Sequence, residues 1–265
     1  MINILSLGAG VQSSTMALMA ASGELTPMPD CAIFADTGAE PKRVYEFLNY
    51  IESLVPFPVY RVMEGDGLEH KVFESIRNGE FSPIPFFADS ESGLSVMLRR
   101  QCTREYKIKP IEKKIRELIG LKKGQRGPKE LAVRQWIGIS MDESIRMKPS
   151  RIKWIENVWP LIDRNMYRYN CIKWMSENGY REPGKSACYF CPYSSNEQWT
   201  QMREGDKESW SKATKLDEMI RGGVRSAGIS LYLHRSRKPL TECDLDPNTD
   251  QFDMFGNECE GMCGI

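Results

Sequence analysis

The chain has 265 residues, of which 41% are hydrophobic and 27% charged, and its 36 basic residues balance 36 acidic ones. This composition excludes an intrinsically disordered chain, which would be poorer in apolar residues. No run approaches the roughly 20 apolar positions of a membrane-spanning helix. The opening stretch, MINILSLGAG, has neither the basic start nor the apolar core of a secretion signal. We therefore expect a cytoplasmic protein without membrane attachment.

Strand and helix patterns alternate through the first quarter of the chain. Apolar runs at residues 2–7, 31–35 and 58–63 predict buried strands, and residues 15–22 and 41–54 between them predict helices. This order indicates a parallel sheet that helices cover. Right-handed crossovers would bring the loops that follow the strands to one edge, where such folds bind ligands.

The rest of the chain mixes loops with further helices. Residues 79–95, rich in Pro, Gly and Ser, predict a long loop, and the chain from about residue 240 is acidic and rich in turn residues. We expect an α/β fold with a parallel twisted sheet in residues 1–164 and a small helical, cysteine-containing extension in residues 165–265. The other predicted elements are a strand at 133–139 and helices at 110–119, 165–178 and 197–221.

Charge is unevenly distributed along the chain. Residues 99–134 include 13 basic and 4 acidic residues, whereas residues 241–265 include 7 acidic residues and no basic one. A basic block near a ligand-binding edge favours an anionic partner, which could be nucleotide phosphate, nucleic acid or both. The alternative is a solvated helix face.

A glycine-rich loop follows the first predicted strand. Gly8, Ala9 and Gly10 precede Ser13 and Ser14 at the start of a helix. Small residues let an anion approach backbone N–H groups, and the helix dipole favours negative charge there. The loop has neither the Gly-Lys-Ser/Thr of a Walker A motif nor a GxGxxG fingerprint. By itself it predicts an anion-binding turn.

Ordered blocks along the chain resemble the PP-loop ATP-pyrophosphatase superfamily, in the branch of phosphoadenylyl-sulfate (PAPS) reductases and related sulfur-transfer enzymes. Residues 8–13 are similar to the PP-loop Ser-Gly-Gly-x-Asp-Ser, and residues 36–38 to an Asp-Thr-Gly motif. Residues 101–110 resemble a Cys-Thr…Lys-Ile-x-Pro block, and 138–146 a Gly-Ile-x-x-Asp-Glu-Ser…Arg block. Both of these blocks look most like the ATP pyrophosphatases of DNA phosphorothioation systems. The PP-loop departs from the pattern at Gly8 and Gln12, which replace its Ser and Asp.

The resemblance implies a Rossmann-like fold of the adenine nucleotide alpha hydrolase type that binds ATP and Mg²⁺. Asp142 and Glu143 are the expected catalytic carboxylates and could hold Mg²⁺, although Asp142 could instead cap a helix. The expected nucleotide-binding residues are Gly8, Ala9, Gly10, Gln12, Ser13, Ser14, Ala35, Asp36, Thr37 and Gly138. The expected phosphate or nucleic-acid contacts are Arg99, Arg100, Arg104, Lys107, Lys109 and Arg146.

Cysteines in a reducing cytosol more often bind metals or perform chemistry than form disulfides. Cys188 and Cys191 form a CxxC, and with Cys102 and Cys171 they could bind a [4Fe–4S] cluster. This pattern resembles the cluster-bearing adenylyl-sulfate reductases, which have an adjacent cysteine pair where this chain has Gln101-Cys102. Zinc, or no metal at all, remains an alternative.

Cys259 and Cys263 lie in the acidic tail and are expected catalytic thiols that carry or attack sulfur. The alternatives are a structural tail and a second metal-binding pair.

Three functions fit these patterns. The first is a sulfurtransferase that adenylylates a nucleic-acid oxygen, with DNA favoured over tRNA and a cysteine desulfurase as its sulfur partner. The second is a PAPS or adenylyl-sulfate (APS) reductase that releases sulfite, and the third is a regulatory subunit that binds a nucleotide or a cluster. Homo-oligomerisation is left open.

Overall fold

The computed structural model describes residues 1–80, 82–90, 95–222 and 229–249, so Cys259 and Cys263 lie outside the described residues. Five parallel strands form the main sheet in the order β3-β2-β1-β6-β7. The first three strands were predicted from their apolar runs, and β6 is shorter than predicted. The strands are β1 (Ile2–Ser6), β2 (Cys31–Ala35), β3 (Val59–Val62), β6 (Val133–Trp136) and β7 (Ile155–Val158).

Helices cover both faces of this sheet because side chains alternate along each strand. On one face Leu5 and Phe34 pack in a core formed with α1 (Val11–Ala21), α2 (Lys42–Leu54) and α6 (Arg168–Glu177). On the other face Ile4 packs with α4 (Lys109–Leu118), whose preceding residues Arg104–Ile108 form a π-helical turn. The predicted α/β class, a parallel sheet flanked by helices, is confirmed.

A second, antiparallel sheet joins distant parts of the chain in the order β5-β4-β8. Its strands are β4 (Phe87–Ser90), β5 (Ser95–Met97) and β8 (Ile229–Tyr232). The prediction of a long loop over residues 79–95 was therefore wrong, because residues 87–90 form β4, and Ala88 of this strand is buried in the same core as Phe86. The helices packed around it are α3 (Gly67–Asn78), α7 (Asn196–Gly205) and α8 (Lys207–Ile220).

The single helix predicted over residues 197–221 is also corrected, because the chain forms two helices there. Asp206 ends α7 and caps α8: its Oδ1 accepts from the Ser209 N–H at 3.0 Å and its Oδ2 from the Ser209 hydroxyl at 2.7 Å. An N-cap of this kind restarts a helix even where the apolar periodicity continues through it.

Contacts cross the domain boundary predicted near residue 164, through both helix packing and strand pairing. The α6 helix packs against α1, and β8 pairs with β4 in the register Ala88 to Leu231. The remaining short helices are Met141–Arg146, α5 (Pro160–Asp163), Leu240–Glu242 and Pro247–Thr249. Within the described ranges no helix is long and apolar enough to cross a bilayer.

Candidate active site at the switch point of the sheet

The chain turns in opposite directions from β1 and β6, so these neighbouring strands form the topological switch point of the main sheet. Open α/β sheets bind ligands at this point, beyond the carboxyl ends of the strands. The segments that follow the two strands touch here, because a Cβ placed on Gly138 would lie 2.8 Å from the backbone nitrogen of Ser13. Only glycine permits this approach.

The loop after β1 is tightly closed. The Gly8 N–H donates to Ser13 Oγ at 3.0 Å, Ala9 takes a left-handed backbone with φ 55, and Gly10 is the N-cap residue of α1. No side chain caps this helix, although its first turn is buried. The first N–H groups of a helix have no acceptor within it, so a buried helix start of this kind suits an anion.

Gln12 links this loop to the segment after β6. Its Nε2 donates to Glu143 Oε2 at 3.2 Å and to Ser140 Oγ at 3.3 Å. Its Oε1 accepts from Arg168 Nη1 at 2.8 Å. A carboxylate at this position could accept from Arg168 but could not donate to Glu143. The amide is therefore matched to its partners.

The two predicted catalytic carboxylates lie in different surroundings. Glu143 is 4% exposed, and its Oε1 lies 2.6 Å from Arg146 Nη1. Asp142 is exposed, and its Oδ1 accepts from the backbone N–H of Arg168 at 2.8 Å, at the start of α6. Asp142 is therefore not the N-cap that its alternative interpretation expected: it lies inside the short helix Met141–Arg146 and accepts from the first residue of α6, 26 residues further along the chain. Both carboxylates already accept from protein donors, and their role towards Mg²⁺ stays a prediction.

The end of β2 contributes polar groups beside the loop. Asp36 Oδ1 accepts from the Gly38 N–H at 2.8 Å and from the Tyr45 hydroxyl at 2.7 Å. Burial, and then the hydrogen bond to Asp36, raise the pKa of Tyr45 well above its usual range, so its hydroxyl remains a donor. Lys107 Nζ lies 3.5 Å from Glu40 Oε1. A small cavity lies beside Glu40 and Lys107; its lining residues are Ser6, Leu7, Gly8, Phe34, Ala35, Glu40, Lys107 and Ile111.

The structure separates the predicted cationic contacts. Arg104, Lys109 and Arg146 line a second cavity of about 240 Å³ between α4 and the ends of β6 and β7. Arg100 lines a third pocket, where its guanidinium carbon lies 5.1 Å from the centre of the Tyr193 ring. Arg99 is exposed and lines none of the three.

Three of the four predicted thiolate ligands line that third pocket: Cys102, Cys188 and Cys191. The Cys188 sulfur lies 3.3 Å from Thr37 Oγ1, which brings the CxxC turn to the end of β2. Cys171 is 0% exposed and belongs instead to the core beneath α1.

The described ranges contain no group of three or more Cys, His, Asp or Glu side chains placed to hold a metal ion. This arrangement does not fit a centre bound by all four predicted cysteines, and the iron–sulfur cluster stays a prediction. The two tail thiols lie outside the described residues.

Several polar residues near the switch point were not predicted. Arg168 reaches Gln12 from a helix 156 residues away in sequence, and no local motif marks it. The 240 Å³ cavity is also lined by Lys148, Arg151, Asn157 and Trp159. The proximity of Lys148 and Arg151 to the Gly-Ile-x-x-Asp-Glu-Ser…Arg block was the one available signal.

No protein-family model and no curated protein sequence matches this chain. Among solved structures, the chain is similar to the crystal structure of phosphoadenylyl-sulfate (PAPS) reductase from Candida auris in complex with phosphate. The two chains share 12% sequence identity, and the match covers 69% of this chain and 75% of the reductase with a TM-score of 0.44.

Proposed function

We propose that this chain is an ATP-pyrophosphatase-type sulfurtransferase that adenylylates an oxygen of a nucleic acid, in the DNA phosphate backbone. The observation that carries the proposal is the closed loop at residues 8–14. Its buried, uncapped helix start lies at the switch point of the sheet, where nucleotide phosphates bind in α/β folds. The order of the sequence blocks supports ATP as the nucleotide.

In the proposed reaction the acceptor oxygen attacks the α-phosphorus of ATP. The bond to the β-phosphate breaks and pyrophosphate leaves. The outer sulfur of a persulfide supplied by a cysteine desulfurase then attacks the acceptor phosphorus and displaces AMP, which carries away the original acceptor oxygen. A second thiol reduces the resulting S–S bond and releases the sulfur-substituted product. The protein's part is to hold the two phosphorus centres in line and to neutralise the charge that develops on the leaving groups.

The side chains at the switch point suit these tasks. The N–H groups of the first turn of α1 would bind the triphosphate, and Ala35 and Asp36 would lie beside the nucleoside. Lys107 borders the same cavity as Gly8 and would bind phosphate oxygen. Gln12 and Arg146 hold Glu143 in position, which would keep the loop in its binding shape.

The test measures pyrophosphate released from ATP by anaerobically purified protein, with and without DNA. The double variant G10V/S13A should lose ATP binding by calorimetry and lose pyrophosphate release, because valine places a side chain where phosphate must approach the backbone. The matched control is G205V/S211A: a Cβ at Gly205 would meet nothing within 4 Å, Ser211 is exposed, and ATP binding should be unchanged.

Unchanged ATP affinity in G10V/S13A would remove the nucleotide from this loop. Sulfite released from PAPS or adenylyl sulfate in the presence of thioredoxin would instead establish the reductase.

A further inference from the structure

The short helix Met141–Arg146 and the start of α6 are neighbours beside the switch point. Two hydrogen bonds join them: the Met141 N–H donates to the Met166 carbonyl at 2.9 Å, and the Arg168 N–H donates to Asp142 Oδ1 at 2.8 Å. The first segment follows β6, and the second follows β7 and α5. Both therefore lie beyond the carboxyl ends of the strands, where α/β folds bind ligands.

These two segments expose large apolar side chains to solvent. Ile145 is 93% exposed and Tyr169 is 70% exposed, and within the described ranges they are the two most exposed large hydrophobic residues. Tyr167, two positions before Tyr169, is 51% exposed. A single exposed apolar side chain needs no explanation, but three of them on two joined segments mark a surface of the kind that contacts a partner.

The chain on both sides of this surface is basic. Residues 144–151 contain three basic residues and no acidic one, and residues 164–173 likewise contain three basic residues and none that is acidic. The carboxylates nearest to them in the chain, Asp142 and Glu143, already accept from protein donors. An apolar surface with a basic border favours an anionic partner that also carries apolar area.

The positive charge continues into the 240 Å³ cavity between α4 and the ends of β6 and β7. Arg146, Lys148 and Arg151 line it from the loop that follows β6, and two further cations line it from α4 and the turn before α4. Glu112 is the acidic side chain in the lining. Positive charge therefore extends away from the exposed tyrosines over several side chains, which suits a polyanion better than one small anion.

We propose that Ile145, Tyr167 and Tyr169 form a docking surface for single-stranded DNA. Unpaired bases would stack on the two tyrosine rings, and the cations beside them would bind backbone phosphates. The faces of bases are covered inside a duplex and open in a single strand, and proteins that bind single strands combine aromatic rings with a basic groove. The choice of DNA as the polyanion rests on the proposed function.

Arg168 connects this surface to the β1 loop. It lies between the two tyrosines in sequence, and its Nη1 donates to Gln12 Oε1 at 2.8 Å. A strand stacked on the tyrosines would therefore pass one side chain away from the loop at which ATP is proposed to bind. Stacking tolerates any base, so the surface would hold the acceptor strand without selecting its sequence.

The test measures the fluorescence anisotropy of a labelled 12-nucleotide single strand of DNA, of its duplex and of RNA with the same sequence, over a range of salt concentrations. The wild type should bind the DNA single strand most tightly. Y167A and Y169A should each weaken that binding by about five- to tenfold, whereas Y169F keeps the ring and should bind like wild type. K148Q should reduce the salt slope by about 0.7.

Two matched controls keep the test specific. L131A removes an exposed apolar side chain that precedes β6, at the opposite edge of the sheet, and K215Q removes an exposed charge from α8. Both should bind like wild type.

The inference is overturned if Y167A and Y169A, folded by circular dichroism, bind the single strand as wild type does, or if the duplex binds as tightly. An unchanged salt slope in K148Q overturns the placement of the phosphates, and tighter binding of RNA overturns the choice of DNA. A change of oligomeric state in sedimentation, without a loss of DNA binding, would assign the surface to a second copy of the chain.

Pyrophosphate release distinguishes failure of the inference from failure of the proposed function. If the wild type shows DNA-dependent release and the tyrosine variants bind DNA like wild type, the proposed function stands and the docking surface falls. If no condition gives pyrophosphate but Y167A and Y169A still lose single-strand binding, the docking surface stands and the proposed function falls.

Discussion

Two regions at one edge of the main sheet differ in whether their buried polar groups have hydrogen-bond partners. At the β1 loop, Gln12, Glu143 and Arg168 bind one another in a closed network that needs no ligand to be held in place. At the cavity beyond β7, Asn157 and Trp159 leave buried polar atoms unpaired. The first region is preorganised, as a site that stabilises developing charge must be. The second leaves a buried donor and a buried acceptor without the partners that buried polar atoms normally have.

The largest effect should follow from breaking the closed network. E143A removes the buried partner of Arg146 and one acceptor of Gln12, and should destabilise the protein by about 3 kcal/mol. Urea unfolding followed by circular dichroism measures the loss. The matched control is E156A, whose partner Arg134 forms an exposed pair with it at 2.8 Å; that pair should contribute under about 1 kcal/mol. Equal losses in the two variants would mean that the network does not hold the loop.

G138A tests the contact between the segments after β1 and β6. Its Cβ would lie 2.8 Å from the Ser13 nitrogen, so the loop must shift, at a cost of about 2 kcal/mol. We expect at least a tenfold loss of ATP affinity by calorimetry. G205A adds the same methyl group where nothing lies within 4 Å and should bind ATP normally. Normal binding by G138A would show that the two segments are not coupled.

Q12E tests whether the position needs an amide. It would place a second carboxylate about 3 Å from that of Glu143 and should cost about 1 kcal/mol at pH 7. The repulsion raises the pKa of the pair in the folded state, so stability relative to wild type should recover as the pH falls through about 5 and one carboxyl binds a proton. Q201E makes the same change opposite Glu197 on an exposed helix surface and should show little pH-dependent loss. A pH-independent loss in Q12E would rule out charge as the cause.

The smallest effect on stability is expected for Ser14, a buried hydroxyl at the β1 loop that lies outside the closed network. Ser14 Oγ is buried and has no partner in the described part of the chain. S14A should change stability by less than about 0.5 kcal/mol, because no hydrogen bond is lost, yet weaken ATP binding by roughly threefold. T15V is the contrast: it removes a 2.8 Å bond to the Val11 carbonyl and should cost about 1 kcal/mol without affecting ATP. If S14A leaves ATP affinity unchanged, the Ser14 hydroxyl faces no ligand.

Sequence patterns predicted the features that short stretches of chain determine. The first three strands, the loop at residues 8–14 and α4 each follow from local periodicity and from small residues at a turn. The partners of Gln12 could not be found in this way, because Glu143 and Arg168 lie 131 and 156 residues away. Their contact depends on which strands are neighbours, and the predicted strand patterns do not specify that order.

Contacts between residues far apart in the sequence also explain the wrong predictions for residues 79–95 and for Cys171. β4 has four residues, and its partner β8 lies about 140 residues later, so neither strand shows the length that marks a strand locally. Cys171 was grouped with Cys188 by spacing along the chain. A helix exposes different faces, however, and the face that carries Cys171 is buried against α1.

The pairing of β4 with β8 has a consequence for synthesis on the ribosome. The β1 loop, β2 and β3 emerge early, whereas β4 must wait for residues 229–232 before its second edge is covered. Uncovered strand edges pair readily with other chains. The nascent protein is therefore exposed to aggregation through this edge until β8 has been synthesised. The pocket of Cys102, Cys188 and Cys191 adjoins the core packed under this sheet through Cys188, and that core is complete only after the last strand arrives. The core around this pocket is therefore completed later in synthesis than the network of the β1 loop, whose last member is Arg168.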